Sequence, residues 1–247
     1  MKELQIPESI EKQDLHKRME RAQRILDAAA ALILRWGYNK TTIDDIARQA
    51  VVAKGTIYLH WKTREALFAA LLTREKLLFA EDFKQRITLD PEGCTLHGIA
   101  RQTVLAVMQR PLIKALFLRD QDILGKLAQS EISDSAYLER LAGFEASLEF
   151  MRAHGLARTD LSLQAQVHIW AAVSTGFFLA SPLMPAKFSL PDDQLADLMA
   201  ETIRRTLEPD QPVPPEEYQK VSQIFLQYVG RSTAAAAEQF QREIEVS

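Results

Sequence analysis

The stretch TTIDDIARQAVVAKGTIYLHW, residues 41–61, holds two helical patterns, each too short to stand alone. In the first, Thr42 stands at an N-cap with Asp45 three residues on, and Asp44 faces the positive end of the helix. Ile43, Ile46, Ala47 and Ala50 then recur on one side for barely two turns. The second pattern runs from Lys54 to Trp61, with Ile57 and Trp61 as apolar anchors and Trp61 read as core. A helix of fewer than about a dozen residues is marginal in water, so both need neighbours. The flanks supply them. Upstream, Ile25, Ala28, Ala29, Leu32 and Trp36 form an inward stripe from Glu20 to a Gly37 stop. Downstream, Thr63 caps a long helix from Arg64 to about Ile87, with Leu67, Ala70, Leu71 and Leu78 on one face.

Two short helices around a tight corner, the second led by exposed polar residues, match the helix-turn-helix plan, in which the second helix enters the major groove N-terminus first. Lys54 and Thr56 sit where side chains reach base edges, and Gly55 leaves room for close approach. Tyr58, His60, Lys62 and the Thr42 helix start are placed to contact phosphates. Charge supports this. The chain carries a net charge of −3, yet Lys12 to Arg64 holds eleven Lys and Arg against five Asp and Glu, leaving the rest strongly acidic. A basic head on an acidic body suits a polyanionic partner, here double-stranded DNA.

The spaced residues Arg24-Ile25-Leu26-x-Ala28-Ala29, Gly37, Thr41-Thr42, Ile46-Ala47, Gly55-Thr56-Ile57-Tyr58, His60-Trp61 and Glu65-x-Leu67 resemble the N-terminal signature of the tetracycline-repressor (TetR) family. The resemblance covers about residues 20 to 70. It implies an all-α, homodimeric transcription regulator with a three-helix DNA-binding head and a larger helical body that binds a small ligand and dimerises. It further implies a palindromic operator, released when the ligand binds. Three positions depart from the family pattern. Val51 stands where Gly is usual, although a β-branched residue dislikes positive φ. Ala53 stands where Ser is usual and cannot cap the second helix. Arg64 occupies the place of a usual Lys, leaving it and Lys62 as alternative phosphate contacts.

The domains expected are an N-terminal extension (1–19), the helix-turn-helix head (20–66), a ligand-binding and dimerisation body (67–208), and a Pro-rich linker with a C-terminal helix or tail (209–247). In the body, Pro91 is expected to open a helix to Gln109, and Pro111 the next. Ser133 to His154, stopped at Gly155, and Pro191 to Leu207 read as amphipathic helices. The stretch from Leu163 to Ser181 is apolar nearly all round and should be covered on both sides. It also carries Ala172, Gly176 and Ala180 at spacings of four, a small-residue stripe suited to a two-fold interface or to close packing within one chain. Polar residues interrupting apolar faces mark a ligand pocket: Arg101 and His168 are grouped with Phe117, Phe144 and Trp170 around a hydrophobic or amphipathic effector. Tyr218, Val221, Phe225 and Tyr228 mark a last helix, with the segment past Gly230 open between helix and frayed tail.

Other chemistry finds little footing. The five histidines are scattered without metal-ligand spacing, and Gly-rich phosphate loops and nucleophile elbows are absent, so no metal, cofactor or enzymatic activity is expected. Cys94 is the single cysteine and lacks a disulfide partner. The longest apolar stretch, Val167 to Ala180, is too short to span a bilayer, and the N-terminus lacks a signal peptide's apolar core, so a cytoplasmic location without membrane contact is expected. Two other classes stay open on sequence: a helical adaptor whose head has lost DNA binding through Val51 and Ala53, and an enzyme using Cys94 or His168.

Overall fold

Capping chemistry sets the first helix boundaries. In the computed structural model, which describes residues 8–125, 127, 134–211 and 213–246, α1 runs Glu8–Trp36 and ends at Gly37. Gly37 has φ of +78°, and a Cβ there would lie 2.3 Å from the Asp122 carbonyl oxygen, so only glycine fits. Thr42 and Asp45 form a reciprocal capping box at the start of α2 (Ile43–Ala50). The Thr63 hydroxyl accepts from the Ala66 amide at 3.0 Å and opens α4 (Arg64–Leu89). Between them lies α3 (Lys54–His60).

The body comprises α5 (Leu96–Met108), α6 (Pro111–Leu118), α7 (Gln121–Leu124), α8 (Asp134–Ala153), α9 (Leu163–Ala180), α10 (Asp192–Leu207) and α11 (Pro215–Val246). Short 3-10 turns cover Tyr38–Lys40, Ser181–Leu183 and Ala186–Phe188, and the described residues form no strand. The chain is all-α. It has two apolar cores. One unites α1, α2, α3 and the first half of α4 through Ile25, Ile33, Ile46, Ile57, Phe68 and Leu71. The other centres on α5 and α10, which pack antiparallel and bury Ala100, Val104, Ala196, Met199 and Ile203.

Two cations, Arg74 buried and Arg64 half-buried, tie the head together. Arg74 of α4, its side chain 8% exposed, reaches Asp27 of α1 at 2.7 Å, Gln23 Oε1 at 3.2 Å and Glu75 at 3.0 Å. Arg64 donates through Nε to the Thr41 carbonyl at 3.0 Å and through a second nitrogen to the Tyr38 carbonyl, with its guanidinium 3.9 Å from the Tyr38 ring centre. A charge interrupting an apolar stripe, as Arg74 does between Leu72 and Leu77, was the sequence signal for the first of these.

Several expectations are corrected. α1 runs from Glu8 rather than from Glu20, and Trp36 lies on its exposed side. Leu78 is also exposed. Pro91 sits in a turn, and the next helix starts at Leu96, capped by the Thr95 hydroxyl on the Gly98 amide at 3.0 Å. The segment past Gly230 is helical as far as Val246. The largest difference is α9. Of its eighteen residues only Gln166 and Phe178 are buried; Leu163, Val167, Ile169, Trp170, Val173 and Phe177 are half-buried against the second core, and the face carrying Ala172, Gly176 and Leu179 is exposed.

Candidate nucleic-acid interface

Two body helices and α2 end in the same two-bond pattern, in which a residue just past the helix takes a positive φ. At Gly155 and at Arg119 the paired amides bond back to the preceding turn, and at the α2 end Val51 N–H bonds the Arg48 carbonyl at 3.3 Å and Val52 N–H the Ala47 carbonyl at 3.0 Å. Val51 therefore sits at φ 55°, ψ 51°, where its branched side chain is strained. The side chain is 87% exposed, so no packing offsets the strain. The corner keeps its shape although the residue is unfavourable. Ala53 then begins α3 with extended backbone and no side-chain cap.

From that corner α3 is held by its inner face alone. Ile57 is fully buried and Trp61, just past the helix, is buried beside it. Each anchor contributes roughly 1.5–3 kcal/mol of apolar burial. The outer face carries Lys54, Gly55 and Tyr58, all exposed, with Thr56 half-buried. A Cβ added to Gly55 would meet nothing within 4 Å. Glycine inside a helix costs about 0.5–1 kcal/mol relative to alanine, and nothing in this fold requires it there. Gly37 and Gly55 thus contrast: the first is demanded by the fold, the second leaves the surface bare.

Cations surround this face. Lys54 Nζ donates to Asp44 Oδ2 at 2.9 Å, which raises its pKa and holds it charged across the corner. Asp45, bonded to Thr42 and near Arg48, has its carboxyl pKa lowered. Lys62 is exposed and donates to the Tyr58 carbonyl at 3.4 Å. Thr42 is exposed at the start of α2, with its hydroxyl 2.5 Å from Asp45 Oδ2. Since Arg64 is committed to the Tyr38 and Thr41 carbonyls, Lys62 is the cation of that pair left facing outward.

His60 departs from expectation. It is 3% exposed, its ring 5.3 Å from that of Trp61, and its Nδ1 has no partner. Burial, reinforced by Arg18 and Arg21, lowers its pKa. A neutral ring packed against the core is not available to a phosphate, so His60 leaves the contact set.

The body residues do not converge as expected. Arg101 Nε donates to Asp197 Oδ1 on α10 at 2.7 Å across an exposed surface. His168 is exposed. Phe144 and Trp170 meet with ring centres 4.9 Å apart and planes tilted by 34°, while exposed Phe117 lies 6.1 and 5.9 Å from the rings of Phe79 and Phe178. Arg101 lines an open cleft with Arg86, Asp90 and His97 instead of meeting the aromatics, and Phe117 lies in a different ring cluster from Phe144 and Trp170. Ala172, Gly176 and Ala180 do share one place. They line an open groove of 450 Å³ with Leu195 and Leu198 of α10 and with Met184, Phe188 and Leu190.

Reasoning from sequence did not find the His97 cluster. His97 Nδ1 lies 2.8 Å from Glu208 and Nε2 3.4 Å from Glu92, joining the start of α5 to the end of α10. Burial opposes the charged ring, but the two carboxylates outweigh it and the pKa is raised. Among the described residues no group of three or more His, Cys, Asp or Glu is placed to hold a metal, and no helix is long and apolar enough to cross a membrane.

A helix-turn-helix head, bundled by α1 and α4 and joined to a helical body, defines a class of DNA-binding regulators. Residues 25–71 match the family described as bacterial regulatory proteins, tetR family. An HTH-type transcriptional regulator of Mycobacterium tuberculosis is 29% identical over 124 residues, 50% of this chain and 58% of that protein. The HTH-type regulator YhgD of Bacillus subtilis is 42% identical over 134 residues, 53% of this chain and 64% of its own length. The chain thus spans little more than half the length of the first of these relatives. In three dimensions the SmeT–triclosan complex superposes with a TM-score of 0.59 at 19% identity, covering 79% of this chain and 99% of that one. Residues 25–71 of this chain are thus similar to the N-terminal DNA-binding region of the tetR family of bacterial regulatory proteins. The relatives are transcriptional regulators rather than enzymes.

Proposed function

We propose that this protein is a homodimeric repressor whose α3 helices read a palindromic operator and which a small hydrophobic or amphipathic effector releases from DNA. The observation that carries this is α3 itself, a seven-residue helix anchored from below, with a glycine in its outer face that the fold does not need. A missing side chain that only weakens the helix makes sense if another surface must come close. Lys54 and Thr56 lead that face and would read base edges, while Thr42, Tyr58 and Lys62 would grip phosphates on either side. The head's local positive charge makes the approach favourable and salt-dependent.

The dimer follows from what one chain leaves open. The groove lined by Ala172, Gly176 and Ala180 continues into exposed Leu183, Phe188 and Leu198, an apolar surface that a second copy would cover. A two-fold pair presents two α3 helices, and half-sites one DNA turn apart, about 34 Å, require a fixed separation between them. An effector bound in the body can act only by favouring a different separation, since equal affinity for both arrangements shifts nothing. The aromatics Phe117, Phe144 and Trp170 remain as the side chains offered to such a ligand. The triclosan bound by SmeT is the kind of molecule the reading has in mind.

The test is a binding titration with the DNA flanking the protein's own coding region, using the purified chain and its Gly55→Ala variant. Tight, salt-sensitive binding that weakens about tenfold or more in the variant supports the reading, a loss of ~1.4 kcal/mol. Binding by both proteins alike would mean that α3 does not approach the duplex.

A further inference from the structure

α4 is not the only helix that runs between head and body. α11 begins in the body, where the Tyr218 hydroxyl accepts the Cys94 amide at 3.3 Å and Val221 is fully buried in the α5–α10 core. Nineteen residues further along, Phe240 is 7% exposed and belongs to the other core, among the residues of α1 and α4, with Ala237 packed beside it. Next to it, Gln241 Nε2 lies 3.4 Å from Met19 Sδ on α1. Between these two footings the helix lies along α4. Gly230, Thr233 and Ala234 face Glu81, Lys84 and Thr88 across a shallow cleft, and Gly230 comes so near α4 that a Cβ there would stand 3.3 Å from Lys84 Nζ.

An uninterrupted helix rises about 1.5 Å per residue, so Val221 and Phe240 are about 28 Å apart along one rod. The short helices α6 and α7 also reach the head core, through Leu112, Ala115 and Leu124, but with α4 as the single long connection the head can still tilt about the first turns of that helix. A head joined by two rods side by side, each seated in both cores, cannot tilt without sliding one rod along the other. We infer that α11 is a second strut that fixes the angle between head and body, with Phe240 as the positioning residue that seats it. An effector that tilts α4 must then either carry α11 with it or shift the seam at Gly230, Thr233 and Ala234. The described residues that line the seam are mostly small or polar, with Leu89 the large apolar one among them.

This rests on the packing of one chain, and its test needs no DNA. Exposed Gln49 of the head and Thr159 of the body are replaced by cysteine and spin-labelled, with labelled chains diluted in unlabelled protein so that only distances within one chain are read. Buried Cys94 stays unlabelled. Four glycines inserted between Gly230 and Arg231 keep Phe240 but sever the rod. The strut predicts that this insertion and Phe240→Ala both broaden the head–body distance distribution at least twofold. Phe240→Leu should restore the narrow one. In Phe240→Ala, amides of α1 to α3 should exchange at least tenfold faster while those of α5 and α10 keep their rates. A distribution as narrow in the insertion variant as in the parent overturns the proposal, and so does exchange that rises equally in α5 and α10.

Discussion

α3 and α9 solve opposite problems. α3 has seven residues, and its anchor Ile57 and the adjoining Trp61 are both buried, in one core with α1 and α4 of the same chain. α9 has eighteen residues, is far more apolar, and hides only two of them. Length and hydrophobicity therefore do not decide which helix is covered; the number of neighbours the chain itself supplies does. The head is complete in one copy and shows a polar, basic face. The body is incomplete and shows an apolar one.

Variants can break or sharpen that contrast. The largest effect is expected at Gly176, whose open groove would receive another helix. Gly176→Leu should weaken self-association by a factor of about a hundred, or ~2.7 kcal/mol, read by sedimentation equilibrium, while leaving the helical signal of the chain unchanged. A dimer of parental strength would place the interface elsewhere. In the head, Gly55→Ala should do the opposite of an ordinary defect: stability rises by about 0.5–1 kcal/mol from helix propensity while DNA affinity falls. If both fall, the glycine serves the fold.

The corner offers a finer test. Val51→Gly should stabilise the chain by about 1 kcal/mol through relief of left-handed strain, and Ala53→Ser by about 0.5–1 kcal/mol through a new cap. The two gains should fall short of their sum if the corner relaxes as a unit. A lower melting temperature in Val51→Gly would show that the exposed valine makes contacts worth more than its strain.

The smallest effect separates the two halves by pH. His60 in the head has a lowered pKa, so its contribution is full above the ordinary histidine value, about 6.5, and is lost as pH falls through the lowered one. His97 in the body has a raised pKa, so its contribution is full below that ordinary value and is lost as pH rises through the raised one. Melting temperature should therefore decline on both sides of neutrality, and His97→Gln should flatten only the alkaline side. Flattening of the acid side instead would reverse the assignment.

The head was legible in the sequence because its determinants are local. Thr42 and Asp45, Thr63, Gly37, and the Ile57–Trp61 pair each act within a few residues, and all four devices are in place. Even the misfit at Val51 showed in the sequence, since the family pattern marks where a positive φ falls. His60 was misread because its burial depends on how the helices of the head pack, which no spacing reveals. The body was less legible for the same reason. Arg101 and His168 interrupt apolar faces, but whether such a residue lines a cavity or meets solvent depends on which helices cross it. The reach of α11 to the head core depended on Phe240, nearly two hundred residues from the helices it touches.

The stoichiometry and footprint of the complex with the protein's own promoter DNA test the central claim most directly. The account predicts chains bound in pairs on each duplex, with two protected segments one helical turn apart, about 34 Å, or a multiple of it, and with protection lost in Lys54→Ala. A single chain per duplex, or no protection even in dilute salt, would contradict it.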